Sequence, residues 1–153
     1  MSDPLHVLLI KPGQLPQEVS IPNTLRAQQA AVGGRIETYS PFWDNVTIVC
    51  NEEGKILNLP ANRVVYGEGG RISDIIHGDF FICGFEGDDF TSLTAGQMEK
   101  YREMFRHPER IAYGRNGPIV TKLPLPANDP APLIPIQTPK QAPTQKTKKE
   151  KEK

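Results

Sequence analysis

The residues best suited to hold a ligand lie in the stretch NEEGKILNLPANR, residues 51–63. Pro60 resists continuing a helix or a central strand, so Asn62 and Arg63 should stand in a loop just beyond it. There the guanidinium fork could grip a carboxylate or phosphate through two parallel hydrogen bonds. With a hairpin bringing Asn51 and Glu52 across from them, Asn51, Glu52, Asn62 and Arg63 would form a polar clamp for a small anion. A local reading competes with this one. Asn62 would then bond loop backbone and Arg63 would pair with Glu52 or Glu53.

Other constellations carry less. His77-Gly78-Asp79 lies near Cys83, but the chain's three histidines and two cysteines show none of the spacings that build zinc sites, so no metal is expected. Cys83 should share a strand face with Phe81 and Phe85, where an apolar setting deactivates a thiol. Glu86, Asp88 and Asp89 lack the ligand spacing of a calcium loop and precede a helix, whose N-terminus favours carboxylates anyway. Gly67-Glu68-Gly69-Gly70 lacks the Lys-Ser/Thr of a phosphate-binding loop and needs only a turn.

The elements that would position these groups follow from pattern. HVLLI and EVSI predict a hairpin around Pro12-Gly13. Asn23 as cap and Gly33-Gly34 as stop bracket a short helix over TLRAQQAAV, with a weak apolar stripe of Leu25, Ala31 and Val32. RIETYS, VTIVC and KILNL predict three strands, the last two joined by a turn at residues 51–54. GDFFICGF is the most apolar segment and should be central. Thr94 with Gln97 three residues on has capping-box spacing, and Met98, Tyr101, Met104 and Phe105 form the stripe of a second helix.

Beyond about residue 107 the character changes. Eight prolines between 118 and 143 interrupt every candidate element, and KTKKEKEK has too little apolar content to fold. The expected organisation is an α+β domain over 3–108, its antiparallel or mixed sheet covered on one side by two short helices, followed by a disordered Pro-rich linker and Lys-rich tail over 109–153. The zero net charge conceals a split: residues 1–110 carry 10 Lys+Arg against 15 Asp+Glu, and residues 111–153 carry 8 against 3. The body lacks the clustered positive face of a duplex-binding domain. No apolar run is long enough for a bilayer span, and two cysteines set far apart suit a reduced cytoplasmic setting without disulfides.

The order of VGGRIE, VCNEEGKILNLPANR, ISDIIHGDFFICGF and DFTSLTAGQMEKY resembles the family catalogued as domain of unknown function 3846, over roughly residues 5–106. Its most specific portion is the Asn-Glu-Glu-Gly turn followed by Leu59, Pro60, Asn62 and Arg63. The resemblance implies a phage, plasmid or other bacterial mobile element as the setting, and no mechanism. The function expected from this combination is non-enzymatic and cofactor-free: binding of a host protein or a small anionic ligand, in a role that counters host defence or regulation. The rival is a nucleic-acid accessory protein, using Lys146, Lys148, Lys149, Lys151 and Lys153 for phosphates and Tyr39, Phe42, Trp43 and Tyr66 for stacking. A hydrolase built on His77, Asp88 and Asp89 is a third class.

Overall fold

The computed structural model describes residues 3–125 of the chain. Ten strands and two α-helices make it a sheet-dominated protein, more β than the expected α+β balance. Strand β1 (Leu5–Ile10) pairs antiparallel with β2 (Gln17–Ile21), and helix α1 (Leu25–Val32) follows. Strands β3 (Ile36–Tyr39), β4 (Val46–Asn51), β5 (Ala61–Tyr66), β6 (Ile72–His77), β7 (Phe80–Glu86) and β8 (Asp89–Thr91) precede helix α2 (Ala95–Met104). Strands β9 (Glu109–Gly114) and β10 (Gly117–Lys122) close the described chain.

The main sheet runs in the order β2-β1-β7-β4-β3, with β8 also paired to β7. All its pairings are antiparallel. GDFFICGF is central as expected, because β7 has apolar side chains for both faces: Phe80 and Ile82 join one core cluster, Phe81 and Cys83 the other. A strand buried on both sides reads as a continuous apolar run. The first cluster adds Met98, Tyr101 and Phe105 from the α2 side and Val65 and Ile76 from the β5–β6 ribbon; the second adds Val32 of α1. The helices therefore lie on opposite faces of the sheet and not together on one.

The capping box at the start of α2 is present in full, Thr94 and Gln97 exchanging bonds of 3.0 and 3.1 Å. At α1 the cap is Thr24 in place of Asn23; Thr24 Oγ1 accepts from the Ala27 amide at 3.1 Å, while Asn23 Oδ1 accepts from Gln28 Nε2. Gly33 ends this helix in the left-handed region at φ 79°, a conformation that costs glycine little. The predicted apolar stripes shift as well. Gln28 and Val32 are the buried positions of α1, Leu25 is exposed, and Met104 of α2 faces outward.

KILNL is not a strand. After β4 the chain coils through local bonds, Leu57 N–H to Glu53 O at 2.8 Å and Leu59 N–H to Gly54 O at 2.9 Å, with Asn58 at φ 58°. The turn at 51–54 exists, with the Gly54 N–H on Asn51 O at 3.2 Å, but the chain leaves it without returning along β4. β4 instead pairs with β3 and β7, and the next strand starts at Ala61 to pair with β6. A second correction falls beyond residue 108, where a linker is expected: residues 109–122 form the β9–β10 ribbon. Pro118 is tolerated there because it sits on β10, an edge strand. The lysines at 146, 148, 149, 151 and 153 lie outside the described residues.

Candidate functional site

Asn62 and Arg63 enter β5 as the strand begins, and both are completely buried. The Arg63 guanidinium reaches across the interior. Its Nε donates to Phe105 O at 3.0 Å, Nη1 to Asn62 Oδ1 at 2.8 Å, and Nη2 to Gln14 O at 2.6 Å. Asn62 Nδ2 donates to Ile10 O at 3.0 Å and Gly78 O at 2.8 Å. The pair thus ties together β1, the loop after it, the β6–β7 turn and the end of α2. Burial pulls Arg63 down to about 10, partly opposed by Glu109. Glu109 is itself raised by burial, against the pull of the Val64 amide, which donates to its Oε1 at 2.8 Å, and of Arg63. Carbonyls of the fold occupy the fork that was expected to meet an anion.

Asn51 and Glu52 stand apart from this knot. The Asn51 side chain, buried at the end of β4, donates to Val32 O at 3.2 Å and accepts from the Glu53 amide at 2.8 Å. It fills the space beside Gly34, where a Cβ would come within 2.8 Å of its Nδ2. Glu52 is exposed and pairs with Arg35 at 3.4 Å. The four-residue clamp is therefore two structural fastenings without a shared partner. The local reading is corrected as well: Asn62 lies in a strand and bonds carbonyls distant in sequence, and Arg63 bonds Phe105 O and Gln14 O instead of Glu52 or Glu53.

The hydrolase set is not assembled either. His77 Nδ1 lies 2.9 Å from Leu59 O, whereas Asp88 and Asp89 border a groove with Asn23, Leu25, Gln28 and Phe90. Burial raises the thiols of Cys50 to about 11 and Cys83 to about 12, so both stay protonated near neutrality. Among the described residues no group of three His, Cys, Asp or Glu side chains is placed to hold a metal.

A different site emerges between β3 and β4, in Ser40-Pro41-Phe42-Trp43-Asp44-Asn45. Phe42 turns inward and lies against Tyr101, ring centroids 4.8 Å apart, and against Phe105 at 6.5 Å. Asp44 accepts from the Tyr101 hydroxyl at 3.0 Å, from Gln97 Nε2 at 3.2 Å and from the Asn45 amide at 2.8 Å. Ser40 Oγ donates to Thr47 Oγ1 at 2.8 Å, and Asn45 O accepts from the Phe85 amide at 3.1 Å. Desolvation pushes the Asp44 carboxyl up, but the bonds from Tyr101, Asn45 and Gln97 outweigh it and leave the group below its ordinary value. Burial, followed by Asp44 itself, raises Tyr101.

Between these two anchors Trp43 is 94% exposed. A loop pinned on both sides of an indole that touches almost nothing presents that indole to the outside. Of the aromatics expected to stack, Trp43 is the one so displayed. Phe42 is packed inward, Tyr39 bonds Ser73 through its hydroxyl, and Tyr66 is 48% exposed beside Ile72 across the β5–β6 ribbon. Sequence reasoning named Trp43 but missed Asp44, whose only signal is an acidic residue directly after two aromatics and a proline.

A family model described as a domain of unknown function (DUF3846) matches residues 5–106. No curated protein and no solved structure matches the chain.

Proposed function

The chain belongs to the DUF3846 family, and from that starting point we propose that its domain works by binding a protein partner through the Trp43 loop, without catalysis. The observation that supports this reading is the exposure of Trp43 between the fixed side chains of Phe42 and Asp44. Tryptophan is enriched among the few residues that dominate binding energy at protein interfaces. An aromatic of this kind brings about 150–250 Å² of surface to a contact. Holding its loop beforehand removes part of the ordering cost of association. No such argument supports a small-anion site at Asn62 and Arg63, whose donors face inward. In the mobile-element setting that the family resemblance suggests, the partner is a host protein of defence or regulation.

The test is affinity capture from the native host with full-length protein and with Trp43→Ala, followed by mass spectrometry and titration of the recovered protein. One partner should be retained by the wild type, with affinity reduced at least tenfold by Trp43→Ala at unchanged melting temperature. Equal affinity for both proteins would refute the proposal.

A further inference from the structure

We propose that the β9–β10 ribbon is a nucleic-acid-binding arm whose Arg110 and Arg115 contact the phosphate backbone. This surface is separate from the Trp43 loop and its function does not depend on the reading above.

The first observation is where charge changes sign. Residues 5–106, the extent of the family match, hold nine Lys+Arg against thirteen Asp+Glu; residues 107–153 hold nine against four. The family domain is acidic, and the segment appended after it carries a net positive charge. The described portion of that appendage is the ribbon.

The second observation is how the ribbon is mounted. Its inner face carries Glu109, Ile111 and Val120, all partly covered, with Glu109 fastened to the Val64 amide of β5. Its base is tied by the Leu123 amide on Pro108 O at 2.7 Å. Alternation then sends Arg110, Ala112, Ile119 and Thr121 to the opposite face, where all four are exposed. Gly114 and Gly117 pair across a two-residue tip, Arg115-Asn116. Arg110 and Arg115 form no ion pair among the described residues. The sole acid of the ribbon, Glu109, is turned toward the body, with Lys122 beside it.

The arm thus offers exposed cations on its outer face and at its tip, with no outward carboxylate of its own to repel a polyanion. Six residues per strand extend about 20 Å, and the major groove of duplex DNA, about 12 Å wide, admits a two-stranded ribbon. Arg is suited to phosphate because its planar fork binds two oxygens at once. The sequence after β10 also includes the lysines at 146, 148, 149, 151 and 153, which lie outside the described residues.

The test uses fluorescence anisotropy of labelled 20-base-pair duplex DNA, the same duplex in RNA, and a poly-glutamate peptide of comparable charge. Four full-length proteins are compared at low and moderate salt: wild type, Arg110→Glu with Arg115→Glu, the milder Arg110→Gln with Arg115→Gln, and a variant with the five C-terminal lysines changed to Gln. Melting curves accompany each, and the Gln pair is read if charge reversal unfolds the ribbon. The expected result is duplex binding by the wild type, weakened at least tenfold by the ribbon variant, with the slope of log affinity against log salt reduced by about 2. The lysine variant should keep a weaker binding that still depends on the ribbon. The DNA and RNA arms state which duplex is preferred. Absence of binding by the wild type, or equal binding by the ribbon variants, overturns the proposal, as does equally tight, ribbon-dependent binding of poly-glutamate, which would assign the arm to an acidic protein.

Discussion

Arg63 and Trp43 look alike as functional candidates in the sequence and are opposites in the fold. Arg63 is a charged side chain spent on the interior, its guanidinium bonded to the carbonyls of Phe105 and Gln14. Trp43 is the largest apolar side chain type, left in solvent while its neighbours are bonded down. A buried polar group must be satisfied by the structure and so holds it together. An exposed apolar group contributes little to the isolated fold and is available to something else. The contrast teaches that residue chemistry proposes a site, and burial decides whether that chemistry faces inward or outward.

The largest effect expected from breaking this contrast is on the interior side. Arg63→Leu removes donors to Phe105 O, Gln14 O and Asn62 Oδ1 at once. Stranding buried partners in this way costs about 3–5 kcal/mol, enough to lower the melting midpoint by roughly 15 °C or more in a domain of this size. Thermal denaturation followed by circular dichroism checks it. A midpoint within a few degrees of wild type would mean that the knot is dispensable and that Arg63 is kept for another purpose.

A smaller loss is expected from Asp44→Ala, which deprives Tyr101, Gln97 and the Asn45 amide of their acceptor. It should cost about 1 kcal/mol and a few degrees of midpoint. More tellingly, it should let Trp43 move without removing it. Time-resolved anisotropy of the indole, the chain's single tryptophan, should show faster local motion in the variant. Unchanged motion would show that Phe42 alone fixes the loop.

The least conspicuous effect concerns Glu109. Burial raises its carboxyl above the ordinary value of 4.5, so the fold favours the protonated form. Its contribution to stability is therefore complete below the unfolded value and is lost as pH rises through the folded one. Glu109→Gln should melt like wild type near about pH 4 and above it near about pH 7, the gap opening as pH rises. A gap of the opposite sign would show that the carboxylate is held charged by Arg63.

Much of the scaffold was legible because it is written locally. The short apolar run of β1, the alternation of Val19 and Ile21 in β2, the unbroken apolar run of β7, the capping box of α2 and the glycine stop of α1 all concern residues within a few positions of one another. What escaped was decided at a distance. KILNL has strand composition, yet β4 already has β3 and β7 as partners, so Ile56 and Leu57 are left exposed in a coil. Arg63 finds Phe105 and Gln14 at separations of 42 and 49 residues, which no local pattern reports. The β9–β10 ribbon was obscured by the prolines around it, although only Pro118 lies within its strands, at an edge where it breaks no ladder. Asp44 was hidden for the same reason as Arg63, since its partner Tyr101 lies 57 residues away.

The most direct test of the central claim needs no partner. Because Trp43 is the only tryptophan, quenching of intrinsic fluorescence by acrylamide reports its exposure alone. If the loop presents the indole to solvent, the quenching constant of the native protein should be close to that of the same chain unfolded in urea, and the emission maximum should barely move on unfolding. A native constant several-fold smaller, with emission shifted to shorter wavelength, would place Trp43 in the interior and contradict the account.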